Sequence, residues 1–180
     1  GASLVHLTKL RILRVISSTE LDDAALATLP PSIEELNIEY CRKLSPAASF
    51  ARFTRLRTLK ASCTDLGDAV LATLPPSLVS LNLTDCRHQY STKPLGLTAA
   101  AVFSHLPALR VLKVSHTRIG DASIASMPAS LEELHMDRCL SVTQRASLDH
   151  LTALRELRCP GTDLSRATFA ACRARGCAAP

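Results

Sequence analysis

Cys63, Asp85 and His116 stand at one equivalent position of a repeated pattern. A thiol, a carboxylate and an imidazole are the parts of a nucleophilic site, in which the imidazole takes the proton of the thiol. That chemistry needs hydrogen-bond reach. On successive strands, two strand spacings hold Cys63 and His116 roughly 9–10 Å apart at the backbone, too far for proton transfer. His6, His105 and His150 share another position, each just before a leucine, which reflects repetition rather than metal-ligand spacing. Cys41, Cys86 and Cys139 recur at a third position and read as small buried hydrophobes. Cys172 and Cys177 could pair under oxidation, although two free thiols is the simpler state. There is no glycine-rich phosphate loop. No catalytic group, cofactor or metal is expected, and the chain is not expected to be an enzyme.

Bulk properties narrow the remaining classes. The chain has 180 residues, about one domain. Leucine occurs 30 times and alanine 25 times, tryptophan never, and phenylalanine plus tyrosine only six times, so the core must be mostly aliphatic. An apolar share of 47% and a charged share of 21% exclude a disordered polar tail. No apolar run approaches the ~18 residues of a membrane span. The net charge of +5 comes with few aromatics, which argues against nucleic acid. Seven cysteines without a CxxC argue against a disulfide framework and a zinc ribbon. Reduced thiols imply an intracellular, cytoplasmic setting. The chain starts Gly1-Ala2-Ser3, which reads as a segment cut from a longer protein.

The elements that must position these residues come from one repeat, sought as Leu-x-x-Leu-x-Leu-x-x-(Cys/Asn/Thr), with Ser18 at the ninth position of the first unit. It starts at Leu10, Ile33, Leu56, Leu78, Leu109, Leu131 and Leu154, with steps of 23, 23, 22, 31, 22 and 23 residues. A second period of about 45 residues lies on top. Odd units carry Thr-x-Leu or Thr-x-Ile after the strand pattern, as in Thr64-Asp65-Leu66; even units carry Cys41, Cys86 and Cys139. Leu26-Ala27-Thr28-Leu29-Pro30-Pro31-Ser32 recurs unchanged at 71–77.

On these motifs the chain resembles the leucine-rich repeat family over roughly residues 4–172. Cysteine at the ninth position is similar to the cysteine-containing variety, often found in intracellular adaptors. The Leu-Pro-x-Ser-Leu lead-in is similar to repeats of bacterial effectors and some protists. The ninth residue is never the usual Asn, so the subfamily stays open. Composition would suit a GC-rich genome, such as that of a kinetoplastid. Cys63-Thr64-Asp65 matches a Cys-x-Asp motif of some effector ligases, but there it belongs to a separate helical domain, whereas here it closes a strand.

The resemblance implies an α/β solenoid, a horseshoe arc with seven short parallel strands on the concave face and short helices or 3-10 turns on the convex side. The whole of 1–180 is one domain. No unit buries its apolar face alone, so neighbours must stack. Ser45-Pro46 reads as an N-cap before a helix-starting proline, and Asp68, Thr98, Asp121, Thr143 and Ser165 are comparable cap candidates. Neither end shows a cap, and the basic tail is placed to cover the last unit.

Non-leucine strand positions should face the concave side. The second positions are Arg11, Glu34, Arg57, Val79, Arg110, Glu132 and Arg155; the fifth are Arg14, Asn37, Lys60, Asn82, Lys113, His135 and Arg158. Basic odd strands beside acidic or neutral even ones predict cross-strand charge ladders Arg11–Glu34–Arg57 and Arg110–Glu132–Arg155. The turn adds Tyr40, Asp85, His116 and Arg138. Candidate partner-binding residues are therefore Tyr40, Arg57, Lys60, Asp85, Arg110, Lys113, His116, His135 and Arg138. The fourth unit is eight residues longer than its equivalents, and His88, Tyr90 and Lys93 in that insertion are a second candidate surface. The expected function is protein binding as a scaffold or adaptor, by a segment that is itself monomeric. Two alternatives stand beside it: a recognition or regulatory arm of a ligase or GTPase system with its active domain elsewhere, and a purely structural element.

Overall fold

A computed structural model describes residues 4, 6–85 and 96–179. The strands are β1 (Ile12–Arg14), β2 (Glu35–Asn37), β3 (Thr58–Lys60), β4 (Ser80–Asn82), β5 (Val111–Lys113), β6 (Glu133–His135) and β7 (Glu156–Arg158). They form one sheet in sequence order, all parallel. The register stacks Leu13, Leu36, Leu59, Leu81, Leu112, Leu134 and Leu157 in a single column. From Leu36 to Leu134 this column is at most 1% exposed. Alternation along each strand sends that leucine inward and its two neighbours outward. The fold is a leucine-rich repeat solenoid.

The 45-residue period has a structural meaning. Odd units carry short helices: α1 (Asp23–Ala27), α2 (Asp68–Leu71), α3 (Asp121–Ala125) and the longer α4 (Arg166–Ala174). Even units carry no helix among the described residues, only successive three-residue turns such as Ala48 N–H to Ser45 O and Phe53 N–H to Phe50 O. The caps expected at Ser45, Thr98 and Thr143 are therefore corrected. Each hydroxyl accepts from the N–H two residues on, but only a turn follows, and each residue also donates to a carboxylate of the preceding unit. Ser45 donates to Asp23 through N–H (2.9 Å) and hydroxyl (2.5 Å). Thr143 does the same with Asp121 at 2.8 and 2.6 Å, and Thr98 with Asp68. Asp68 and Asp121 are thus first residues of their helices, preceded by Gly67 and Gly120. Ser165 is an N-cap as expected, accepting from Thr168 N–H.

Two further contacts explain the proline-containing lead-in. Ser32, Ser77 and Ser130 donate to Leu10, Leu56 and Leu109 carbonyls of the preceding unit at 2.7–3.0 Å. Thr73 and Ser126 accept from Phe50 and Phe103 N–H at 3.0 Å. Phe50, Phe53 and Phe103 are fully buried, so aromatics fill the core where even units lack a helix.

The tail does cover the last unit. α4 ends in a Schellman motif, with Gly176 at φ +81°, Cys177 N–H donating to Cys172 O and Gly176 N–H to Arg173 O. Ala178 then bridges Glu156 at the sheet edge.

Candidate functional site

Outward positions on either side of each core leucine build the concave surface. Those are the third and fifth positions, as a period of two demands. The third column is Ile12, Glu35, Thr58, Ser80, Val111, Glu133 and Glu156. The fifth is Arg14, Asn37, Lys60, Asn82, Lys113, His135 and Arg158, with no acid in it. Lys60, Lys113 and His135 thus lie on the face as expected. The second position precedes each strand, which moves Arg57 and Arg110 to the margin; Arg57 borders a surface depression with Glu34, Thr54, Arg55 and Ser77. Only one rung of each expected ladder forms: Arg11–Glu34 at 3.6 Å, and Arg110–Glu132. Among the described residues, Arg57 and Arg155 have no ion pair. The sequence reading missed the third column, and alternation about each leucine was the signal for it.

Tyr40, Asp85, His116 and Arg138 lie in the eighth column, between Ser17 and Gly161 at the rim. Each N–H here donates across to the next unit: Tyr40 to Ser62 O, Asp85 to Ser115 O, His116 to Asp137 O and Arg138 to Pro160 O, at 2.7–2.9 Å. All have positive φ, from +52° at Arg138 to +63° at Tyr40, and Gly161 has +74°. This left-handed residue turns the chain out of the strand. The ninth side chain then closes the turn from inside. Cys41 and Cys139 thiols donate to Val15 and Val114 carbonyls, Thr64 and Thr117 to Ala61 and Val114. Cys86, His88, Tyr90 and Lys93 lie outside the described residues.

The charges form a network towards β7. Lys113 Nζ is 2.7 Å from Glu133, His135 Nε2 is 2.9 Å from Glu133 and 3.4 Å from Glu156, and Arg158 is 3.3 Å from Asp137. Glu133, His135 and Glu156 offer ligand atoms within 4.8 Å of one another. Lys113 already supplies the positive charge there, so the cluster is an ion-pair network. Cys63 Sγ lies 3.8 Å from Asp85. Burial first, then the Asp85 carboxylate, push its pKa up. A nucleophilic thiol needs the opposite shift. His105 bonds the Leu71 carbonyl at 2.6 Å, consistent with a repeat-architecture role.

Neither the family models nor the curated proteins searched contain a match to this chain. Solved structures do match in fold. One is an internalin (inlF) from Listeria monocytogenes, with a TM-score of 0.68 and 20% identity over 92% of this chain. Another is a complex of latrophilin 3, Unc5D and the leucine-rich repeat part of FLRT2, with a TM-score of 0.63 and 19% identity over 88% of this chain. The chain spans 45% and 48% of the lengths of those two matched chains. The likeness is one of architecture and carries nothing about source.

Proposed function

We propose that the chain is a protein–protein interaction module, a scaffold or adaptor element that holds a protein partner on its concave sheet. The observation that carries this reading is the fifth column, four cations, two amides and an imidazole in strict register with no acid among them. A preformed sheet orders little on binding, and complementary charge selects the partner. The FLRT2 repeat domain was solved with other proteins, which supports a binding role for this architecture. No described helix is long and apolar enough to cross a membrane. Six described cysteines are free and five of them buried, which supports a reducing, intracellular compartment.

The test is capture of partners from source-cell lysate by the native chain and by a variant with Arg57, Lys60, Arg110 and Lys113 all changed to Glu, its fold checked by circular dichroism. Partners held by the native chain and lost by the variant are expected. Equal retention would move the site to the insertion or the convex side.

A further inference from the structure

The two halves of the concave sheet differ in how far their charges are already neutralised. From β5 to β7 every fifth-column side chain has an acid beside it. From β1 to β3, Arg14 and Lys60 have no ion pair among the described residues. Asn37 stands between them in register, its amide held by Glu39, and Glu35 on the same strand pairs with neither. Apolar surface gathers on this half too. Ile12 and Ile16 alternate with Arg14 along one side of the first repeat, and they and Tyr40 are each 51% exposed. A shallow depression opens between β1 and β3, walled from Ile12 to Lys60. Half-exposed isoleucines and a tyrosine beside unpaired cations are the makings of a binding hot spot once a partner excludes water from both.

We propose that this half of the sheet, through Ile12, Arg14, Ile16, Tyr40 and Lys60, binds an extended acidic segment of a protein partner that carries an apolar side chain beside its carboxylates. The inference rests on the protein-binding reading above and names the partner's chemistry. Two strand spacings set the backbones of Arg14 and Lys60 about 9.6 Å apart. A polyproline-like segment rises about 3.1 Å per residue with three residues per turn. Carboxylates three residues apart therefore lie about 9.3 Å apart on one side, matching the two cations. The segment's pattern is acid-x-x-acid with an aliphatic or aromatic residue next to it.

The probe is a library of random short peptides displayed on phage, selected against the intact chain. Enriched peptides are expected to carry acid-x-x-acid with an apolar neighbour. Synthetic copies should bind about tenfold more weakly to an Arg14→Glu/Lys60→Glu variant and to Ile12→Ser, and more weakly in ~1 M salt. Binding to Arg145→Gln, an exposed residue in the turn after β6 and outside the concave columns, should change by less than about twofold. All these positions are exposed, and thermal unfolding of each variant confirms its fold. Basic or uncharged peptides, failure to enrich any, or binding lost only with Arg145→Gln would overturn the inference. Peptides mapping to β5–β7 would overturn it while leaving the concave reading intact; the four-substitution variant tests that reading separately.

Discussion

The eighth residue of each unit does two things at once. Its N–H continues the ladder to the next unit, and its left-handed backbone turns the chain out of the strand. That conformation costs an L-residue about 1–2 kcal/mol. Ser17, Tyr40, Cys63, Asp85, His116 and Arg138 accept it, and no β-branched side chain is among them. Gly161 is the relaxed member of the column, and a Cβ there would meet Arg138 Cγ at 3.1 Å. Gly161→Ala should lower stability by about 1–2 kcal/mol, read as a fall of several degrees in Tm by circular dichroism. An unchanged Tm would show that the turn is not strained. The sequence placed Tyr40 and Arg138 in one column but hid their torsion, since neither residue type announces a positive φ.

At the scale of elements, a carboxylate clasp joins the first residue of α1, α2 and α3 to the turn of the next unit. Ser45, Thr98 and Thr143 look like caps because their side chains can serve backbone N–H groups, and each does so weakly two residues on. Their own N–H and hydroxyl are taken by Asp23, Asp68 and Asp121 across the repeat boundary. The hydroxyl donates to the carboxylate and accepts from the N–H at once, so clasp and local turn coexist, the charge-assisted bonds being about twice as strong as neutral ones. Asp121→Ala removes both bonds to Thr143 and should cost about 1–3 kcal/mol in urea unfolding. Asp149→Ala, which removes the surface pair with Arg175 and an exposed bond from the Ser147 hydroxyl, should cost under about 1 kcal/mol. Equal losses would mean that the clasp adds nothing.

Over the whole molecule, stability comes from stacked columns, and thiols are part of them. Cys159 is the last member of the sixth column and is 2% exposed. Burial, then the Asp137 carboxylate, push its pKa from 9.0 up to about 12. The folded chain thus holds this proton more tightly than the unfolded chain. The resulting stability is complete below pH ~9 and is lost as pH rises towards ~12. Burial raises Cys139, Cys172 and Cys177 in the same direction. The urea midpoint should fall between pH ~9 and ~11, and less steeply in Cys159→Ala. Identical slopes would show that this thiol titrates alike in both states.

Periodicity alone carried the strands. Their steps in the sheet, from Ile12 to Glu35, Thr58, Ser80, Val111, Glu133 and Glu156, are the steps of the repeat, because a parallel ladder between equal units has one register that buries every leucine. The burial of Cys41 and Cys139 was legible for the same reason: their position is local and repeated. Which side chains clasp the neighbouring unit and which cations stay unpaired among the described residues came only with the tertiary structure. Each of these is settled by contacts with the neighbouring unit, some 22 residues away in the chain and one strand spacing away in space, as in Thr143 with Asp121 or Arg110 with Glu132.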